Sequence, residues 1–399
     1  MHRCDKTRAV IGCAQYVVWM IIPIALICTC SELTNLSAAQ PIQTPRTFPP
    51  QTVRIGVFSL FRPRELVIRP VVGSSLAVEL SGYRATLPMD APFLIVHEID
   101  CEVQLQLTPE SQPVRGDALR AHTLDPRTEN LSRFWLEVPG KLRRQFAGSL
   151  EVRAHGQTVE AIVSMPLETA VASVVQAESP PGAGMEALKA QAVAARSFLL
   201  ARQASHSGFD FCDTTHCQFL RSPPDVSSPA AEAALATEGL VLTWHDEDSA
   251  QDKTLAAMYA RSCGGQTRTL REIGVKSGGY PYYAVHCVYC THHPEIWRRE
   301  ALSEAKVDAG PESALALRTE RDRLIFNRVH GWGAIPSIAG TAPGSNDKDE
   351  RGWITGRGVG HGIGLCQLGA ADMARRGASF VQILAYYYPN TKLTSNPSQ

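Results

Sequence analysis

"AESPPGAGMEALKAQAVAARSFLL", residues 177–200, sets Glu178 and Glu186 on either side of a Pro/Gly loop and then runs into a helix built largely of alanine. Just before it, near Pro166, the apolar period changes from two to about 3.6, and Leu167, Val171, Val174 and Val175 fall on one helical face. A chain that passes from strand to helix at this point predicts an α+β fold, a mixed helical and sheet core preceded by a β-rich region.

The two glutamates read differently. Glu178 lies four residues after Val174 and seven after Val171, on the apolar face of its helix. It also lies at that helix's C-terminal end, where the dipole disfavours negative charge. Both effects raise a carboxyl pKa. A carboxylic acid that keeps its proton near neutral pH is suited to protonating a glycosidic oxygen. The competing reading is a solvated carboxylate in a frayed last turn. Glu186 is the alternative acid, but it already has a structural reading in the first turn of a helix that starts after Gly184, where the dipole favours a carboxylate by about 0.3 to 1 kcal/mol. It continues a polar stripe through Lys189, Arg196 and Gln203 on an otherwise apolar helix.

Working outward, short alternating runs from "TVRIGVFSL" to "GSLEVRAHG" make residues 53–160 a β-rich region, and residues 161–393 form the mixed core. Residues 40–52, "QPIQTPRTFPPQT", are a Pro-rich linker. In residues 1–39, Arg3, Lys6 and Arg8 precede an apolar run from Ala9 to Cys30, with Ser37-Ala38-Ala39 as a cleavage site before Gln40. This reads as a signal peptide or a membrane anchor, so the protein is expected to be exported, in the periplasm, in the cell wall or held on the outer side of a membrane. Lys+Arg and Asp+Glu are equal at 39 each, so no net field selects nucleic acid as a partner.

"GRGVGHGIGLCQLGA", residues 356–370, has five of its six glycines at period two, which in an extended segment leaves one face bare for close approach. A polysaccharide-lined cleft suits this pattern, with Arg357 and His361 on the other face and Gln367 at the start of the next helix as candidate binding groups; the competing reading is tight sheet packing with a satisfied histidine. Of the 11 cysteines, Cys4, Cys13, Cys28 and Cys30 lie in or beside the export segment, and the odd number left cannot all pair. His206, Cys212, His216 and Cys217 in "HSGFDFCDTTHCQFL" could form a tetrahedral zinc site. A second group, Cys287 and Cys290 in a C-x-x-C with His286, His292 and His293 nearby and Cys263 upstream, could also bind zinc. For either group a disulfide is the competing reading in an exported protein.

Together, "AESP…MEALKAQAVAARSFLL", "DTTHCQ", "YARSCGGQT" and "GRGVGHGIGLCQLGAADMARRG…ILAYYYPNT" resemble the stage II sporulation protein D (SpoIID)/LytB family, in the family's order over about residues 160–393. The resemblance implies a SpoIID-like core that cleaves the glycan strands of peptidoglycan as a lytic transglycosylase. One glutamate would act as acid and then base while the sugar's own C6 hydroxyl closes a 1,6-anhydro ring, with no second carboxylate as nucleophile. The chemistry requires no cofactor, and the Cys/His segment around "DTTHC" allows a structural zinc. LytB-type members modify a cell-wall amidase, so the rival expectation is a non-catalytic glycan-binding module with that partner. Ser179 stands where the family has methionine, and Cys366 and Leu368 where it has serine and tyrosine.

Overall fold

The computed structural model describes residues 51–395, apart from 73, 88–93, 108–110, 125–132, 203–205, 276–278, 301–321, 325, 328–333 and 339–352. The expected export segment, nearly all of the Pro-rich linker, and Gln203 lie outside the described residues.

The alternating runs build two sheets. One has the order Phe211–Cys212, Thr52–Val57, Thr158–Pro166, Ser149–His155, Ala118–Leu124, Ser75–Leu80, Tyr83–Leu87. The other runs Leu142–Ala147, Arg133–Val138, Glu65–Pro70, Leu94–Ile99, Glu102–Gln106, Val114–Gly116. Their inward residues, Ile55, Leu66, Ile68, Val96, Val152 and Val163 among them, fill one core. Thr158–Pro166 pairs with Thr52–Val57 on one side and Ser149–His155 on the other. The expected division at 160/161 therefore falls inside a strand, and the change to helix comes at Leu167.

Helix α1 (Leu167–Glu178) buries Leu167, Val171, Val174 and Val175 as their spacing predicts. It stops where it does because Ser179 precedes Pro180 and takes an extended conformation, φ −69° and ψ 142°. Ala183 then donates to the Pro180 carbonyl across a Pro-Gly turn, with Gly182 at φ +75°. Helix α2 (Met185–Ala201) starts after Gly184 and has apolar neighbours on two sides. Leu188, Ala192, Ala195 and Leu199 join the core of the sheets, whereas Ala187, Ala190, Val193 and Ala194 join a second core with Ile363, Leu365, Tyr387 and Tyr388. Helix α3 (Pro229–Ala236), capped by the Ser228 side chain, packs on α1 and α2. The second core also takes in α4 (Val288–His292), α5 (Gln367–Arg375) and α6 (Phe380–Tyr387). The α+β class holds. Among the described residues, no helix is long and apolar enough to cross a membrane.

Three local expectations are corrected. Arg196 is not part of a solvated stripe: it is fully buried, bound by Glu168 and donating to the Ala234 and Leu240 carbonyls. A guanidinium that deep is tolerated because its donors are matched. The run "TLAAMYARSCGGQT", residues 254–267, reads as strand from its composition but is one only at Thr254, the last residue of the strand Gln251–Thr254, and at Tyr259–Ala260. Between and after these its backbone bonds are divided among the Tyr282 hydroxyl, the Leu365 amide and Val359, so no single ladder forms. The glycine run is not extended either. Gly358 and Gly364 have φ +79° and +66°, and Gly360 and Gly362 between them are also left-handed. The close approach that the missing side chains predict does occur: a Cβ at Gly358 would lie 2.6 Å from the Ser262 carbonyl oxygen, and one at Gly364 2.0 Å from that of Met258.

Candidate active site

Glu178 ends α1 beside the buried Val174 and Val175 and is itself only partly exposed. Burial pushes its carboxyl from the ordinary 4.5 up to about 6. The Phe219 N–H, which donates to Oε1 at 2.9 Å, and the nearby Arg221 guanidinium oppose that rise without cancelling it. The result is an acid that holds its proton up to about pH 6 and keeps a fixed orientation.

Several polar groups beside it lack partners. The buried Tyr259 hydroxyl lies near the Gln191 side chain without a full hydrogen bond to it, and its ionisation is pushed up first by burial and then by the charge of Glu178, against the pull of Gln191. Ser179 Oγ, Gln191 Nε2 and Gln218 Oε1 are likewise buried without a partner. Gln218 is held by donating to the Ala195 carbonyl, and Gln367 donates to Gln191 Oε1 at 3.3 Å. The structure thus brings Gln367 to this group through Gln191, but as a buried residue behind it. Native proteins leave few buried polar groups unmatched, so a cluster of them beside an acid marks a place where a polar ligand can be bound. Tyr259, Gln191 and Gln218 lie in or beside the quoted motifs "YARSCGGQT", "MEALKAQAVAARSFLL" and "DTTHCQ", but alternation and helical phase do not reveal that they meet.

Two other carboxyls compare with Glu178. Glu186 accepts from Lys189 at 2.8 Å and from the Phe380 amide at 2.7 Å, and both hold its pKa below the usual range. It therefore ties the start of α2 to the start of α6 and stays ionised. Asp213, which sequence reading did not single out, is also pushed up to about 6 by burial, against the pull of Arg144. It is enclosed, however: Oδ2 accepts from Arg144 at 3.0 Å and from the Phe58 amide at 3.3 Å. Arg144 also donates to the Leu220 carbonyl, so this pair braces the loop that presents Phe219 to Glu178.

The same loop carries the first Cys/His group. The ligand atoms of His206, Cys212, His216 and Cys217 all lie within 4.8 Å of one another. His206 Nε2 is 3.2 Å from Cys217 Sγ, and His216 Nδ1 is 3.6 Å and 3.5 Å from the Cys212 and Cys217 sulfurs. These separations suit the edges of a tetrahedral two-sulfur, two-nitrogen site, and both cysteines are unpaired. Cys212 is fixed by the strand Phe211–Cys212, which runs parallel to Thr52–Val57.

Arg357 is exposed at the end of the strand Trp353–Arg357 and pairs in register with Ile296. His361 is half-buried, and its Nδ1 accepts from the Ile363 amide at 3.0 Å, which puts the proton of a neutral ring on Nε2. The glycine segment runs beside the strand that carries Tyr259 through the Tyr259–Leu365 pairing. A wider recess, lined by Gly56, Arg62, His155, Gln157 and Phe209 among others, lies on the first sheet and does not include Glu178.

Residues 155–244 match the family model SpoIID, Stage II sporulation protein, so the resemblance to the SpoIID/LytB family holds. The matched span contains Glu178, Glu186 and the first Cys/His group. The chain is 25% identical over 289 residues to stage II sporulation protein D of Bacillus subtilis, covering 61% of this chain and 77% of that one. It is 27% identical over 269 residues to an uncharacterized protein of Brachyspira hyodysenteriae, covering 61% and 71%. It is also 26% identical over 295 residues to the amidase enhancer of B. subtilis, covering 56% of this chain but 40% of that protein.

Proposed function

We propose that this protein acts in the cell wall as an exported lytic transglycosylase, cleaving the glycan strands of peptidoglycan with Glu178 as its single acid/base. The observation that carries this reading is the raised pKa of Glu178, about 6, in a carboxyl held by one backbone amide beside unmatched polar groups. Protonated Glu178 delivers its proton to the glycosidic oxygen as the bond breaks. The resulting carboxylate takes the proton of the C6 hydroxyl, which attacks the anomeric carbon and closes the anhydro ring. Ser179, Gln191, Gln218 and Tyr259 are suited to bonding sugar hydroxyls. Arg357 and His361 are proposed to extend glycan contact along the glycine segment, with Gln367 supporting it through Gln191.

The His206, Cys212, His216 and Cys217 group is proposed to hold a structural zinc. The ion would fix the loop whose Phe219 amide orients Glu178 and would take no part in proton transfer. Purified protein is expected to hold zinc at this group, and a Cys212–Cys217 disulfide in folded, metal-free protein would exclude it.

The named likeness to an amidase enhancer favours one rival, a non-catalytic glycan binder that positions a cell-wall amidase. Incubating the protein with glycan strands stripped of stem peptides separates the two. New 1,6-anhydro ends that disappear with Glu178→Gln support the enzyme. Binding without new ends, together with stimulation of an added amidase, supports the rival.

A further inference from the structure

The second group of thiols is built differently from the sequence expectation. Cys263, Cys287, Cys290 and Cys366 converge with all four sulfurs within 4.8 Å of one another. The nearby histidines are not members of the group; His286, for one, pairs with the Thr291 hydroxyl at 3.1 Å. Cys263 follows the strand Tyr259–Ala260, Cys287 precedes α4, Cys290 lies within α4, and Cys366 ends the strand Leu365–Cys366. The fourth member is therefore the residue that stands where the family has serine.

All four side chains are buried, none more than 3% exposed, and all are unpaired. The Cys290 and Cys366 sulfurs are 3.5 Å apart. That is far beyond a disulfide bond of about 2.05 Å. It is close to the edge of a tetrahedron with metal–sulfur bonds of 2.3 Å, roughly 3.8 Å. An iron–sulfur cluster, with several metal atoms between the thiolates, spreads its ligands more widely than a single ion does. The surroundings also suit thiolates. The Tyr387 hydroxyl lies 3.4 Å from Cys287 Sγ and the Ser262 hydroxyl 3.5 Å from Cys290 Sγ, so each can donate to a charged sulfur. Gly369 makes room for this arrangement, since a Cβ there would lie 2.6 Å from Cys287 Sγ and 2.0 Å from Tyr387 Oη.

We propose that Cys263, Cys287, Cys290 and Cys366 hold a single zinc ion in a closed four-thiolate site, separate from the His206 group and independent of the reaction assigned to Glu178. Binding replaces the thiol protons by the metal and releases them to solvent, with no change of oxidation state. All four positions are filled by protein, so the ion is structural. It clamps the glycine-rich segment to the segment that carries Tyr259.

Zinc content of the purified full chain, with and without substitutions, tests this. Cys366→Ser and Cys290→Ala should each remove one equivalent, and His216→Ala should leave that equivalent in place. In the unsubstituted protein, an alkylating reagent followed by peptide mass analysis should find these four thiols protected. All four should become labelled once the protein is unfolded with a chelator. If the cysteine variants do not fold, the double variant Cys212→Ala/His216→Ala decides the matter, since one equivalent of zinc should remain in it and its absence would overturn the proposal. The proposal is overturned if zinc content is unchanged in folded Cys366→Ser. It is equally overturned if the four thiols are alkylated in the native protein, are recovered as disulfides, or carry stoichiometric iron.

Discussion

The end of α1 and the start of α2 each present a glutamate, and the two have opposite fates. Glu178 closes a helix on its apolar face, and burial keeps it protonated to about pH 6. Glu186 opens a helix, meets an ammonium and an amide, and is held ionised. The residue type is the same and the separation is one Pro/Gly turn. Chemistry is decided here by which end of a helix a carboxyl occupies and by which residue follows it. Pro180 is central, because it stops α1 before Glu178 can be carried into another turn.

The largest expected effect breaks the frame that holds these two ends. Arg196→Met removes the buried partner of Glu168 and leaves the Ala234 and Leu240 carbonyls unmet. It should cost about 3 to 5 kcal/mol in denaturant unfolding, and a loss under 1 kcal/mol would show that the frame does not depend on it. Next is cleavage itself. Glu178→Gln keeps the Phe219 hydrogen bond but cannot transfer a proton, so release of anhydro ends should fall about 10²-fold or more while glycan binding persists. Near-normal cleavage by Glu178→Gln, with loss in a folded Glu186→Gln, would reverse the assignment of the pair.

Stability gives a smaller, pH-dependent test. Folded Glu178 keeps its proton up to about pH 6, whereas an unfolded carboxyl releases it near 4.5, so folding takes up a proton between these values. The ionised form therefore costs stability above that window and nothing below it. Glu178→Gln should raise stability by about 1 to 2 kcal/mol at pH 7, a gain that fades by pH 4. Equal gains at both pH values would break the link to ionisation. Glu186 has the opposite sign: its lowered pKa stabilises the fold at neutral pH and that contribution is lost as the medium turns acid. Glu186→Gln should cost about 1 kcal/mol or less at pH 7, with cleavage retained.

Much of this was legible in the sequence because it depends on local spacing. The phase of Val171, Val174 and Val175 fixed the face of Glu178, Gly184 marked the start of α2, and alternating runs marked the sheets. Cys366 was invisible as a fourth thiol because it lies 76 residues from Cys290 and meets the other thiols through long-range contacts, among them the parallel pairing of Ala260 with Cys366. Tyr259 was hidden by the same long-range contact. The glycine run was misread because spacing shows where side chains are missing but not the sign of φ. Arg196 followed the polar stripe in sequence, yet α1 and α3 close over this one residue and draw it into a largely buried ion pair with Glu168.

Helix α2 carries a consequence for how such chains can diverge. Its alanines face one core on one side and the other core on the other, so a methylene added at Ala190, Ala192, Ala194 or Ala195 has no free volume to enter. Deep mutational scanning should find residues 190–195 among the least substitutable positions, even though none of the four alanines has a reactive group. Change in this helix would have to come in compensated pairs across both cores, so its composition can persist after much of the surrounding surface has been rewritten.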